Sequence, residues 1–282
     1  MRLSYTQKGV AWITLIVLLF SVALFYNRDV TLVDALLLFG LCFVCELIDS
    51  GLGMGYGTIL TPSLLLLGYD AQDIVPTILL SELLSGFTAS FFHNEIKNVD
   101  LSFRGKDLKS AAILAGGSIA GVTAGVFLAV NISKQLLNVG VGCIILLSGL
   151  FVLLLARTVV EYRTWKMVLL SIVASFNKAV SGGGYGPLVT SGQVLSGVQG
   201  KSSVGITSFA EAFTCLFAVS LFLAKGGGVS FVIFIPMCAG ALISVPFSVF
   251  AINKTKESYL KVIIGVVTML MGGLTLLKAL SS

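Results

Sequence analysis

The sequence predicts an all-α polytopic membrane protein: an N-terminal helix followed by an inverted repeat of five helical segments per copy. Three observations predict it. Of the 282 residues, 56% are hydrophobic and only 11% charged, with a mean hydropathy of +1.02, whereas soluble domains are about half apolar and about a quarter charged. Apolar stretches follow one another along the chain with connections too short for a soluble domain. A glycine-rich signature occurs twice, as Gly53-Met54-Gly55-Tyr56-Gly57 and as Gly182-Gly183-Gly184-Tyr185-Gly186.

The first apolar stretch, residues 10–26, follows the basic Met1 to Val10. A secretory leader would end in a small-residue cleavage site. None follows Asn27, so the stretch reads as a retained helix. Ten more stretches lie near 32–48, 54–68, 74–92, 111–130, 136–156, 167–180, 185–197, 203–224, 230–250 and 261–280. Most approach the ~20 residues a helix needs to cross a bilayer. With the N-terminus inside and every stretch counted as a crossing, the inner loops hold 13 Lys and Arg residues, among them Lys97, Arg104, Lys106 and Lys109, and the outer loops hold 4: Arg28, Lys134, Lys225 and Lys278. The positive-inside rule therefore predicts a cytoplasmic N-terminus in a multi-pass cell membrane protein. The net charge of +5 reports this topology, and no nucleic-acid partner is inferred from it.

A shift of 129 aligns residues 53–68 with 182–197 at seven of sixteen positions (Gly53, Gly55, Tyr56, Gly57, Thr61, Leu66, Gly68) and carries Glu82 onto Glu211. Beyond the long loop 93–110 the shift becomes 123, aligning Gly117 with Gly240 and Gly142 with Gly265. The chain thus divides into residues 1–30, a first repeat 31–156 and a second repeat 157–282, in one membrane domain. Five segments per repeat is an odd number, so the second copy must insert upside down. Stretches 167–180 and 185–197 are short for a span of about 30 Å, and glycines join each pair. Two hairpins are expected, 32–68 from outside and 167–197 from inside, as re-entrant or broken helices whose tips meet near the midplane. Inverted repeats with broken helices are the sequence pointer to a secondary transporter's binding site.

A glycine break exposes N–H groups at the start of the next half-helix, where the dipole adds partial positive charge and favours small anions. The expected substrate-binding residues are Gly53, Gly55, Tyr56 and Gly57 at the first tip, and Gly182, Gly183, Gly184 and Tyr185 at the second. Asn177, Lys178 and Gln193 stand close by in sequence. Close helix packing through small residues is the rival explanation of the glycines. Asp49 precedes the first tip and Lys178 holds the equivalent place before the second. Charges inside a bilayer are costly and normally pair or serve a pathway, so Lys178 either pairs with Asp49 or faces the anion. Glu82, with Ser81 and Ser85, and Glu211, with Thr207, Ser208 and Thr214, form polar stripes at helical spacing. Together with Asp49 they are the expected proton-coupling or gating groups; Glu46 shares a helix face with Asp49.

The run Glu46-x-x-Asp49-Ser50-Gly51-x-Gly53-Met54-Gly55-Tyr56-Gly57, paired with Asn177-Lys178-x-x-Ser181-Gly182-Gly183-Gly184-Tyr185-Gly186, resembles the sulfite exporter TauE/SafE family over nearly the whole chain. The N-terminal helix and loop 93–110 are its least typical parts. The resemblance implies a cytoplasmic-membrane transporter, acting mainly as an exporter, of small anions such as sulfur oxyanions or organosulfonates. It leaves self-association of copies open.

Gly-Tyr-Gly also occurs in potassium-channel filters, which makes an ion channel with re-entrant loops the alternative. No nucleophile–base pair is found, so no catalytic residues and no enzyme are expected. The five cysteines all lie in apolar stretches and read as small packing residues. His93, the single histidine, is expected at the surface of a membrane border. Without a second histidine no zinc site, and no other metal or cofactor, is expected.

Overall fold

The computed structural model describes Ile16 and residues 31–155, 164–251 and 257–281. Among these residues ten helices follow in order: α1 (Leu32–Leu52), α2 (Tyr56–Leu67), α3 (Ala71–Glu95), α4 (Lys106–Asn131), α5 (Lys134–Leu155), α6 (Thr164–Ser181), α7 (Tyr185–Leu195), α8 (Gly200–Ala224), α9 (Phe231–Ala251) and α10 (Glu257–Ser281). The N-terminal helix expected over 10–26 lies outside the described residues except for Ile16, which is helical and packs with Cys238, Leu242 and Ile243 of α9.

Five of the described helices are long and apolar enough to cross a membrane: α3, α4, α8, most of α5 and nearly all of α9. Large apolar side chains stand exposed on the periphery, among them Leu36 and Leu37 of α1, Phe247 and Phe250 of α9, and Leu274 and Leu277 of α10. Apolar patches this extensive are rare on soluble monomers but are what lipid tails solvate. Pro76, Pro236 and Pro246 lie inside helices, as transmembrane helices tolerate.

Helix bounds keep the register read in the sequence. Adding 129 to the bounds of α3 gives those of α8. The turns that end these two helices match bond for bond: Asn98 N–H donates to His93 O at 2.9 Å and Gly227 N–H donates to Phe222 O at 2.9 Å, with Lys97 (φ 62°) and Gly226 (φ 80°) both left-handed. Packing matches too. Helix α1 lies on α9 as α6 lies on α4, α3 pairs with its equivalent α8, and α5 with its equivalent α10. Small residues make the contacts close. Gly121 and Gly125 of α4 meet the backbone of α6 near Ile172 and Phe176, and Gly240 of α9 meets that of α1 at Phe39.

Two breaks interrupt this helical array. Gly53 ends α1 in the left-handed region (φ 68°), its N–H bonding Asp49 O at 2.6 Å; Gly182 ends α6 likewise (φ 71°), bonding Lys178 O at 2.8 Å. An L side chain at either position would be strained. The arms are unequal, however. Helices α2 and α7 have 12 and 11 residues, about 18 and 16 Å at 1.5 Å per residue, too short to span. Helices α1 and α6 have 21 and 18, so the short stretch expected over 167–180 is longer in the structure. Counting apolar residues stops at polar positions such as Thr164 and Ser181, whereas the helix includes both, Thr164 exposed at its start and Ser181 Oγ donating to Asn177 O at its end.

Candidate functional site

The two tips meet. A Cβ placed on Gly57 would lie 1.8 Å from Gly182 O, and one on Gly186 would lie 2.3 Å from Gly53 O. Thr190 Oγ1 donates to Gly53 O at 2.7 Å and lies 2.9 Å from Thr207 Oγ1, which accepts from Gln193 Nε2 at 2.8 Å. Gln193 is thus part of the frame that holds the first tip. In this conformation Gly57, Gly183 and Gly186 are glycine because the backbone of the opposite tip occupies the space, and Gly53 because its backbone is left-handed and the Thr190 side chain fills the place of a Cβ, so the close-packing explanation holds for these four. Gly57→Ala should therefore lower the melting temperature by several degrees, since overpacking against backbone costs about 1–3 kcal/mol or more. Gly140→Ala, with nothing within 4 Å of the added carbon, should not. Equal melting temperatures for the two variants would contradict the tip packing.

Directly beside the tips lies a buried charge cluster. Lys178 Nζ bonds Glu82 and also lies 2.9 Å from Glu211 Oε1, all three side chains being at most 5% exposed. These glutamates are equivalent in the repeat, so the ammonium sits between the two symmetry-related acids. The pairing of Lys178 with Asp49 that the sequence allowed is not formed. Asp49 instead accepts from the N–H of Tyr56 at 3.1 Å, which makes its carboxylate the cap of α2 and satisfies one of the four orphan donors there. One carboxylate oxygen each of Asp49, Glu82 and Glu211 lie within 4.8 Å of one another. Glu46 is buried beside them and accepts from Ser50 and, at 3.0 Å, from Ser85. Tyr56 OH and Ser81 Oγ are 2.7 Å apart.

The second tip is built differently. No side chain caps α7, whose N-cap residue is Gly184. Ser181 Oγ accepts from Gly183 N–H at 3.2 Å, and Asn177 Nδ2 lies 3.8 Å from where a Gly184 Cβ would stand. Tyr185, like Tyr56, is fully buried. Each tyrosine is the first residue of a helix, not part of an extended filter strand.

His93 is a correction. It is fully buried because its ring ties α3 to two other segments: Nε2 donates to Ser50 O at 2.7 Å and Nδ1 accepts from Asn98 Nδ2 at 3.0 Å. Hydropathy placed it at a membrane border, and the border there is covered by the following loop. Val99 of that loop is 4% exposed and would touch a Cβ on Gly205 at 2.7 Å, while Asn98 O accepts from Ser202 Oγ at 3.1 Å. The equivalent place in the other repeat is open. There a cavity of about 280 Å³ is lined by Gln72, Asp73, Phe222, Lys225 and Gly226–Gly228, and reaches Val180, two residues beyond Lys178. By the register Phe222 stands for His93 and Gly228 for Val99.

Thr61, Ser148, Thr190 and Thr207 surround the tips without having been singled out as tip residues by the sequence. Thr61 and Thr190 were findable, because they are one of the seven matched positions of the repeat. Ser148 carries no such signal.

Fold and site define an all-helical membrane protein with a buried charge cluster between two broken-helix tips. The chain belongs to the sulfite exporter TauE/SafE family, a family of membrane transporters, whose pattern matches residues 37–275. Among curated relatives it is 25% identical over 246 residues, covering 83% of this chain and 79% of the other, to "Probable membrane transporter protein YtnM" of Bacillus subtilis (strain 168). No solved structure matches significantly.

Proposed function

We propose that the protein is a secondary transporter that exports small anions, sulfur oxyanions or organosulfonates, by alternating access between two repeats inserted in opposite orientations. The observation that carries this reading is the unequal pair of equivalent places: a cavity open at the end of α8, and its counterpart at the end of α3 filled by Val99. One end open and its repeat equivalent filled, with the same local backbone at both, is the asymmetry that two-sided exposure requires. The open end carries Lys134 and Lys225 and is assigned to the outside by the distribution of basic residues.

An anion is favoured at a half-helix start that no carboxylate already occupies, as at α7. Export of a monovalent anion from a cell negative inside gains ~2.3 kcal/mol per 100 mV, so no coupling ion is needed. Import would need one. Glu82 and Glu211 flank the buried ammonium of Lys178, while Asp49 and Glu46 lie beside them on other hydrogen-bond donors. Asp49, Glu82 and Glu211 are the coupling groups for any proton-linked direction of transport.

The test is flux from liposomes. Purified protein reconstituted in vesicles loaded with methanesulfonate should release it faster under an inside-negative potential than at zero potential. Release at the rate of empty vesicles at every potential would overturn the reading. Potassium passage without an ionophore would instead favour the channel.

A further inference from the structure

Resting on the reading above, we propose that the anion sits at the second tip alone, held by the start of α7 together with Thr61 and Ser148, and that this seat selects singly charged oxyanions over dianions. The two tips are equivalent in sequence but not in hydrogen bonding. At the first, the start of α2 already has a resident anion, the Asp49 carboxylate on Tyr56 N–H, and Gly53 O is taken by Thr190. At the second, Lys178 stands in the place of Asp49 and turns to Glu82 and Glu211, leaving α7 without a side-chain cap.

Two buried hydroxyls face this uncapped start without a partner. Ser148 Oγ, on α5, lies 3.0 Å from where a Gly184 Cβ would stand; Thr61 Oγ1, on α2, lies 3.0 Å from where a Gly182 Cβ would stand. Ser148 is 3% exposed and Thr61 fully buried. Buried hydroxyls are normally bonded, and an unmet one signals a ligand or a strained role. Thr190, the repeat equivalent of Thr61, has its partners, so the unmet state belongs to the second tip and not to threonine at this position.

The chemistry of the seat follows from its donors. Main-chain N–H groups at a helix start, two hydroxyls and the Asn177 amide offer hydrogen bonds and partial positive charge. They offer no full charge, because the Lys178 ammonium is already flanked by two carboxylates. Removing a dianion from water costs far more than removing a monoanion, and nothing here compensates the second charge. A sulfonate or a hydrogen sulfite type of anion fits; a sulfate dianion does not. The tips must part to admit either.

Ser148→Ala and Thr61→Val test the seat, with methanesulfonate and sulfate as probes and binding read by titration calorimetry on detergent-purified protein. Each variant is expected to bind methanesulfonate roughly tenfold more weakly, through loss of one hydrogen bond to an anion. Each should also melt at the same temperature as the parent or higher without ligand, because it removes an unsatisfied buried hydroxyl. A purely structural hydroxyl would lower the melting temperature instead. Ser81→Ala, which removes the partner of Tyr56 at the first tip, should lower the melting temperature and leave affinity unchanged. Unaltered methanesulfonate affinity in Ser148→Ala and Thr61→Val would overturn the seat while leaving the transporter reading intact. Equal affinity for sulfate would overturn the selection by charge. Binding of neither probe to the parent protein would overturn both this seat and the broader reading.

Discussion

Lys178→Met should lower the stability of the folded protein by about 3–5 kcal/mol, the usual effect of removing one partner from a buried ion pair. Two acids lose their counter-charge at once, since the ammonium contacts both Glu82 and Glu211. The rescue pattern identifies the partners. Adding Glu82→Gln should recover part of the loss, and the triple change Lys178→Met, Glu82→Gln, Glu211→Gln most of it, because well-packed neutral groups can replace a buried charge cluster without net cost. Adding Asp49→Asn should recover less than Glu82→Gln, because the Asp49 carboxylate has its own partner in Tyr56 N–H. Thermal melts in detergent read all four. Rescue by Asp49→Asn equal to that by Glu82→Gln would mean that Lys178 serves Asp49 after all. The triple variant, folded but with its charges removed, should show at least tenfold slower flux.

Gly228→Trp should stop transport while leaving the fold intact. Gly228 lines the open cavity, and nothing lies within 4 Å of a Cβ placed on it, so a side chain can start there without a clash and extend into the cavity. It would do at this end what Val99 does at the other. Flux of methanesulfonate from liposomes should fall by more than tenfold with no fall in melting temperature. Transport at the parental rate would show that the cavity is not the path. Gly228→Cys should in addition react with a membrane-impermeant thiol reagent added outside intact cells, and reaction only from the cytoplasmic side would reverse the orientation.

Much of the fold was legible because it depends on local pattern. Hydropathy located the helices, and glycines at Gly53 and Gly182 marked the breaks, since glycine takes a left-handed backbone without the strain other residues meet there. The repeat register was legible because the two breaks repeat the same residues, Tyr56 with Tyr185 and Thr61 with Thr190 among them. Individual partners were harder. Lys178 was read as either a partner of Asp49, which holds the equivalent place, or a counter-charge for the anion, yet equivalence puts Asp49 and Lys178 on opposite halves and says nothing about which acid comes nearest. His93 looked superficial because it stands at the border of an apolar stretch, and the loop that covers it belongs to a six-residue difference between the repeats that no alignment of two copies can orient.

What the sequence by itself determined is the kind of molecule: a chain too apolar for water, duplicated, and broken at two glycine-rich points that carry backbone N–H groups into its interior. These follow from composition and periodicity, which act within a few residues. Only the tertiary structure decided where the differences between the copies fall. It put Lys178 between Glu82 and Glu211, turned Asp49 into a cap for α2, left α7 uncapped beside Ser148, and filled one of two equivalent places with Val99. Each of these depends on which helices cross, and buried charges and orphan donors take whatever partner the crossing brings within hydrogen-bond distance.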